Sequence, residues 1–348
     1  MSSSKKSKAH QGHPRVSSHE VAELVGVSQP TVSRAFTPGA NISEETRNKV
    51  LEAAEKIGYR PNVIARSLTQ QSTKMIGLVV GDFKNPFYSR LIDTFSVQLQ
   101  QRGYWSLLLN VPHEDEIEST LPMALQYQVA GIIVTSATLT STLADVCESY
   151  GTPVVLFNRY PLQGNLNAVT CDNEGGGRIV ADALLDGGHK RIAYMAGQEG
   201  SSTNRDREKG FTERLLERGT QVFARETGDY YYNSGFKAAQ RLLSNDEKPD
   251  AIFCANDLMA MATMDVARRQ FHLKVPGDLS IIGFDDIQMA SWPTYSLTTL
   301  HQPVKEMVNA TIDILIDTVH EVSSEGIVRM CAGELIDRGS ARLVSDGE

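Results

Sequence analysis

The chain has 348 residues, 41% of them hydrophobic, with four cysteines and a formal net charge of −8. This length supports two or three compact units and excludes a lone small motif, while apolar runs such as Met75 to Val80 fall far short of the roughly 18 to 20 residues that a membrane span requires. The charge is uneven: residues 1–74 carry 11 Lys and Arg against 6 Glu, and the remainder 23 against 36 acidic residues, which fits a basic phosphate-contacting module on an acidic body.

Met1 to Pro14 hold Ser, Lys and His but no apolar stretch, so they read as a disordered leader and not as a secretory signal. A cytoplasmic protein follows, in which Cys147, Cys171, Cys254 and Cys331 are reduced and buried as small apolar residues. Ser17 to Val25 then places Val21, Ala22, Leu24 and Val25 on a short helix. Gly26-Val27-Ser28 breaks it before Gln29 to Phe36 begins: Gly26 can take the left-handed backbone of the turn, and Ser28 can cap the free amides of the second helix. A third helix runs from Glu44 to Ile57, capped by Ser43, with Glu44 and Glu45 at its positive end, Gly58 at its stop, and one face made by Val50, Ala53, Ala54 and Ile57. The second helix exposes Gln29, Thr31, Ser33 and Arg34 where a core helix would be more apolar. Arginine pairs bidentately with guanine and glutamine with adenine, while hydroxyls such as those of Ser28, Thr31, Ser33 and Thr37 suit phosphate oxygens.

Tyr59-Arg60-Pro61-Asn62-Val63-Ile64-Ala65-Arg66-Ser67-Leu68 joins this unit to the first strand of the body. Together with Val21-Ala22, Gly26-Val27-Ser28, Thr31-Val32-Ser33-Arg34 and Ser43-Glu44-Glu45-Thr46-Arg47, it makes a string of fixed spacings that resembles the LacI/GalR family of bacterial repressors over residues 15 to 342. The resemblance implies a helix-turn-helix domain over 15–60 and a hinge over 61–74. In that hinge Asn62 to Leu68 would form a short helix that orders on operator DNA, with Asn62 and Arg66 at the minor groove and Leu68 as the apolar wedge that kinks the duplex. One departure stands out. Pro30 occupies the second position of the recognition helix, a place proline tolerates, so base readout falls to Gln29 and Arg34.

From Met75 short apolar strands alternate with helix-length segments, the signature of parallel βαβ units. The strands are read at Met75 to Val80, Trp105 to Leu109, Gly131 to Thr135, Pro153 to Phe157, Arg191 to Met195, Ala251 to Cys254 and Ser280 to Phe284. No dinucleotide or P-loop glycine motif follows any of them, no nucleophile elbow or H-E-x-x-H is present, and the eight histidines lack metal spacing. An enzyme and a bound cofactor are therefore not expected. Gly175-Gly176-Gly177 reads as close packing. His189 reads as a helix-end cap and His301 as part of a crossover.

Ligands of open α/β sheets gather at the carboxyl ends of the strands, and polar and aromatic residues follow these strands: Phe87 and Tyr88, Asn158 and Arg159, Asp172, Thr203 to Arg207, Asn256, and Asp285. Carboxylates, amides and guanidiniums bind vicinal hydroxyls, and a flat face such as Tyr230 stacks on a sugar ring, which points to a small polyol. The family resemblance implies the same positions. Arg207, Asn256 and Asp285 would be the central hydrogen-bonding trio, Asp172, Asn158 and Thr203 further contacts, and Phe87, Tyr88 and Tyr230 the walls. Arg159 with Arg207 would make a doubly basic pocket suited to a sugar acid or sugar phosphate.

The fold implied by the resemblance is an all-α helix-turn-helix head on a two-lobed α/β body like the periplasmic binding proteins. Lobe 1 spans 75–172 with 304–331, and lobe 2 spans 173–303 with 332–348. The expected partners are double-stranded operator DNA, a small effector of carbohydrate class and a second copy of the chain, with no membrane and a nucleoid location. Two other readings stay open: a carbohydrate-binding protein without a DNA role, and a corepressor-dependent regulator sensing a nucleobase.

Overall fold

The computed structural model describes residues 16–37, 39–61, 73–81, 83–111, 116–135, 146–147, 149–160, 166–320 and 326–344. The chain forms two compact units, residues 1–73 and 74–348. The expectations for Met1 to Pro14 and for Asn62, Arg66 and Leu68 lie outside the described residues.

The first unit has three helices, α1 Ser18–Val25, α2 Gln29–Ala35 and α3 Glu44–Lys56. Ser17 and Glu20 form a reciprocal capping box at the start of α1, satisfying two of the amides that a helix N-terminus leaves free. Gly26 turns the chain at φ 73°, a backbone that a side chain would strain. Val21, Ala22, Val32, Ala35, Val50 and Ala54 form the core, flanked by Phe36 and Tyr59, whose rings meet edge to face at 5.7 Å. Arg47 of α3 reaches across to donate to the carbonyls of Ala35 (2.7 Å), Thr37 and Ala40 (3.2 Å each), which satisfies the open end of α2. Ser43 caps α3 as expected, accepting from the Thr46 amide. Ser28 does not cap α2: its hydroxyl is 2.8 Å from that of Thr31, so the two satisfy each other, and Pro30 in the first turn removes one amide that would otherwise need an acceptor.

The second unit holds two parallel sheets. One contains β1 Met75–Val80, β2 Trp105–Asn110, β3 Gly131–Thr135, β4 Val154–Phe157, β5 Asn167–Cys171 and β11 Val328–Cys331, in the order β11-β5-β4-β3-β1-β2. The other contains β6 Ile192–Ala196, β7 Ala224–Thr227, β8 Ala251–Cys254, β9 Ser280–Asp285, β10 Thr298–His301 and β12 Glu334–Ile336, in the order β12-β10-β9-β8-β6-β7. Among the described residues only β12 pairs antiparallel. The chain passes from the first sheet to the second after Cys171, returns after His301, and crosses again after Cys331. Helices α4 Pro86–Gln101, α5 Ile117–Gln126 and α10 Val304–His320 accompany the first sheet; α6 Asn173–Asp186, α7 Ser202–Glu217, α8 Tyr232–Leu243 and α9 Asp257–Arg269 accompany the second.

All seven expected strands are present with ends within one residue, because each is written as a largely apolar run, which burial on both faces requires of six of them and which the half-exposed edge strand β2 also carries. Five strands went unread: β5, β7, β10, β11 and β12. Segments such as Ala-Arg-Glu-Thr in β7 or Thr-Thr-Leu-His in β10 carry no such run and are strands because a neighbour pairs with them. Gly175-Gly176-Gly177 opens α6, and a Cβ at Gly177 would lie 2.3 Å from the Arg207 carbonyl oxygen, so the glycines bring α7, which carries Arg207, hard against α6. All four cysteines are free and buried. His189 closes α6 through its backbone amide, which donates to the Leu184 carbonyl; its ring is buried near Arg342, and burial pulls its pKa down.

Candidate functional site

On the first unit, Ser28, Gln29, Ser33 and Arg34 are exposed, and Thr31 and Thr37 are half-buried. The Gln29 amide donates to Ser18 (2.9 Å) and the Thr37 hydroxyl to the Ser33 carbonyl (3.0 Å). Arg34 makes no side-chain hydrogen bond among the described residues. The helix thus presents a guanidinium to solvent on a backbone pinned from below by Arg47.

On the second unit, the polar residues assigned to a ligand converge at strand ends. Asn158 and Arg159 follow β4, Thr203 and Arg207 lie on α7 after β6, Tyr230 follows β7, Asn256 follows β8, and Asp285 ends β9. Arg207 is only 2% exposed. Its Nε donates to Asn173 Oδ1 (2.8 Å) and its Nη1 to the Ala255 carbonyl, Asp285 Oδ1 stands 3.5 Å from Nη1, and the guanidinium carbon sits 3.6 Å above the Phe284 ring. A charge is tolerated at this depth because it is paired, hydrogen-bonded and stacked. Asp285 also accepts from Gln302 Nε2 at 2.7 Å. Asn158 Oδ1 and Gln302 Oε1 are buried without a protein partner, and such acceptors call for an added donor.

Burial pushes the Asp285 carboxyl up to about 6, even though Arg207 and Gln302 pull it down. Burial likewise raises Asp257, with the neighbouring Asp285 adding to it; Asp257 is held by the Thr299 hydroxyl and the Ile287 amide. Because Asp285 pairs with Arg207, the pocket is not doubly basic, and the expectation built on Arg159 together with Arg207 is corrected. Arg159 donates to a neutral partner, Gln198 Oε1, at 2.7 Å.

Several assigned residues are spent on the protein itself. Asn256 caps α9 by accepting from the Met259 amide (3.0 Å) and donates to the Tyr230 carbonyl (3.0 Å), which helps hold Tyr230 at φ 64°. The Tyr230 hydroxyl is 2.9 Å from that of Thr203. Asp172 caps α6 through the Gly175 amide (2.8 Å) and lines a separate pocket of about 280 Å³ with Tyr160 and Asp206. Phe87 borders a cleft of about 570 Å³ with Arg90, Asp285, Asp286 and Arg338, whereas Tyr88 is buried edge-on to Phe87 at 5.4 Å. Sequence reasoning missed Asn173, Gln198 and Gln302. Gln302 had one weak signal, a polar residue between a strand and a proline, which reads as ordinary loop. Among the described residues no three His, Cys, Asp or Glu side chains gather in a metal-sized cluster, and no helix is long and apolar enough to cross a membrane.

Residues 19–62 match the model of bacterial regulatory proteins of the lacI family, and residues 73–321 match that of periplasmic binding proteins and the sugar-binding domain of the LacI family. The chain belongs to the LacI family. This LacI-family protein is 32% identical to the ribose operon repressor of Escherichia coli K12 over 326 residues, 92% of the chain and 98% of that repressor. It is also 32% identical to the HTH-type transcriptional repressor PurR of Photobacterium profundum, over 93% of the chain and 98% of PurR. The lac repressor dimer bound to operator and the anti-inducer ONPF superposes with a TM-score of 0.85 at 26% identity, covering 94% of the chain and 99% of that structure. The LacI-family chain is accordingly a ligand-responsive, DNA-binding transcription regulator and not an enzyme.

Proposed function

We propose that this regulator is a homodimeric repressor of the cytoplasm and nucleoid that reads a near-palindromic operator and is controlled by a neutral, polyhydroxylated ligand between its lobes. A two-fold protein presents two recognition helices to two half-sites. Ser28, Thr31, Ser33 and Thr37 contact the backbone, Gln29 and Arg34 read bases, and the connector residues Asn62, Arg66 and Leu68 engage the minor groove. The head spans 15–60, the connector 61–74, lobe 1 75–172 with 304–331, and lobe 2 173–303 with 332–348.

The observation that carries the ligand class is the buried cluster around Arg207: a neutralised guanidinium–carboxylate pair flanked by two unpartnered amide oxygens, Asn158 Oδ1 and Gln302 Oε1. That set offers donors and acceptors together without net charge, which suits hydroxyls better than a phosphate. Arg207, Asp285, Asn158 and Thr203 would hold the hydroxyls, Arg159, Asp172 and Asn256 would fix the loops that bear them, and Phe87, Tyr88 and Tyr230 would form the apolar walls. Support comes also from the ribose operon repressor and from a LacI-family regulator of Enterococcus faecium with bound ribose, matched at TM-score 0.69 and 25% identity over 78% of the chain and 100% of that structure.

The test is a gel shift on two-fold-symmetric duplexes, combined with calorimetric titration of D-ribose, cellobiose, a sugar phosphate and a purine base. Retention of a palindromic duplex, changed by a neutral sugar, is the expected result. Binding confined to the purine would replace the carbohydrate assignment, and indifference to every duplex would remove the repressor.

A further inference from the structure

The lobes of the ligand-binding unit touch directly beside the cleft, through a segment that no effector role has absorbed. Tyr160 lies just past β4, on the first-sheet side. Its amide donates to Ser202 Oγ (3.2 Å) and its hydroxyl to Asp206 Oδ2 (2.7 Å), and the Arg205 guanidinium sits 5.3 Å from its ring centroid. The neighbouring Arg159 adds the bond to Gln198. Every partner lies on α7 or on the loop that leads into it. That helix is two-sided: Thr203 and Arg207, four residues apart, serve the cleft, while Ser202 and Asp206, also four apart, meet Tyr160, as helical periodicity requires. Asp206 is itself buried and, among the described residues, is paired only with its neighbour Arg205 besides Tyr160. Its second oxygen is therefore committed to a residue of the opposite lobe.

We propose that Tyr160 is a positioning residue that latches the lobes together in the ligand-free protein, holding the cleft face of α7 opposite Asn158 before an effector arrives. A ligand that enters a cleft already held closed meets a smaller conformational penalty, since apparent affinity scales with the competent fraction. Losing a hydrogen bond to a charged acceptor should shift the closed-to-open ratio by roughly tenfold. The consequence for effector affinity rests on the function proposed above; the closure itself does not.

The experiment places spin labels at Met123→Cys and Leu216→Cys, exposed sites on the two lobes, in the full chain without ligand, diluted with unlabelled protein so that intrachain distances dominate. The native cysteines are buried. A single narrow distance is expected for the parent and for Asp206→Asn, which keeps the acceptor. Tyr160→Phe and Asp206→Leu should add a longer population while the urea transition stays single and cooperative. Identical distributions for parent and Tyr160→Phe, or a parent that is already broad, would overturn the latch. D-ribose titration of the same proteins should weaken several-fold in Tyr160→Phe. If D-ribose binds none of them while the distances still shift, the ligand assignment fails and the latch stands.

Discussion

In the three-helix head the side chains assigned to DNA lie on the surface, above a core of six buried apolar residues, whereas in the trunk the central side chains assigned to a ligand, Arg207 and Asp285, are themselves buried and paired. The difference follows from what each must recognise. A duplex is larger than the head and supplies its own charge, so exposed donors on a rigid helix suffice. A small hydrophilic molecule must be stripped of water, so its donors and acceptors have to be fixed in advance inside the protein. Function in the head is therefore separable from stability, and in the trunk it is not.

The sharpest way to break that contrast is Arg207→Leu. It leaves Asp285 buried beside Phe284 without its cation, and the trunk should lose about 3–5 kcal/mol of unfolding free energy near neutral pH, read by urea denaturation; an unchanged trunk would mean that the pair is solvated. Next comes pH. Asp285 titrates near 6 when folded, above its ordinary 3.8, so the folded state holds the proton more tightly. The stability it contributes is fully present below about pH 3.8 and is lost as the pH rises through about 6. Relative to Asp285→Asn, the parent should lose on the order of 2 kcal/mol between about pH 4.5 and 7, and a flat difference would refute the burial argument.

Arg34→Ala tests the other side of the contrast. Operator affinity should fall by about 2 kcal/mol with the urea curve of the trunk unmoved, and intact sequence-specific binding would remove Arg34 from the reading face. The smallest effect is expected at Ser43→Ala. Loss of the α3 cap should cost about 1 kcal/mol in the head alone, visible as weaker DNA binding at raised temperature.

Much of the head was legible because its determinants are local. The cap at Ser43, the turn at Gly26 and the apolar face of α3 are all set by residues within a few positions of one another, and the one local error, Ser28 as a cap, arose because a nearby hydroxyl competed for it. The trunk was legible where apolar runs announce strands, the half-exposed edge strand β2 included, and illegible where polar residues interrupt them, as in the interior strands β5 and β10. The same division runs through the site. Strand-end residues could be listed from the alternating pattern, yet nothing local distinguishes Asp172 and Asn256, spent on helix caps, from Asp285, spent on Arg207.

The order of residues alone determined that a basic helical reader precedes a parallel α/β body, and which strand ends carry polar groups, because backbone propensity and apolar periodicity act over one or two turns. Tertiary structure alone decided that Asp285 neutralises Arg207, that Gln302 reaches the cleft from a crossover, and that Tyr160 meets Asp206. Tyr160 and Asp206 stand 46 positions apart and Asp285 and Gln302 17, and the energies of these pairings depend on burial that exists only once both sheets have closed on them.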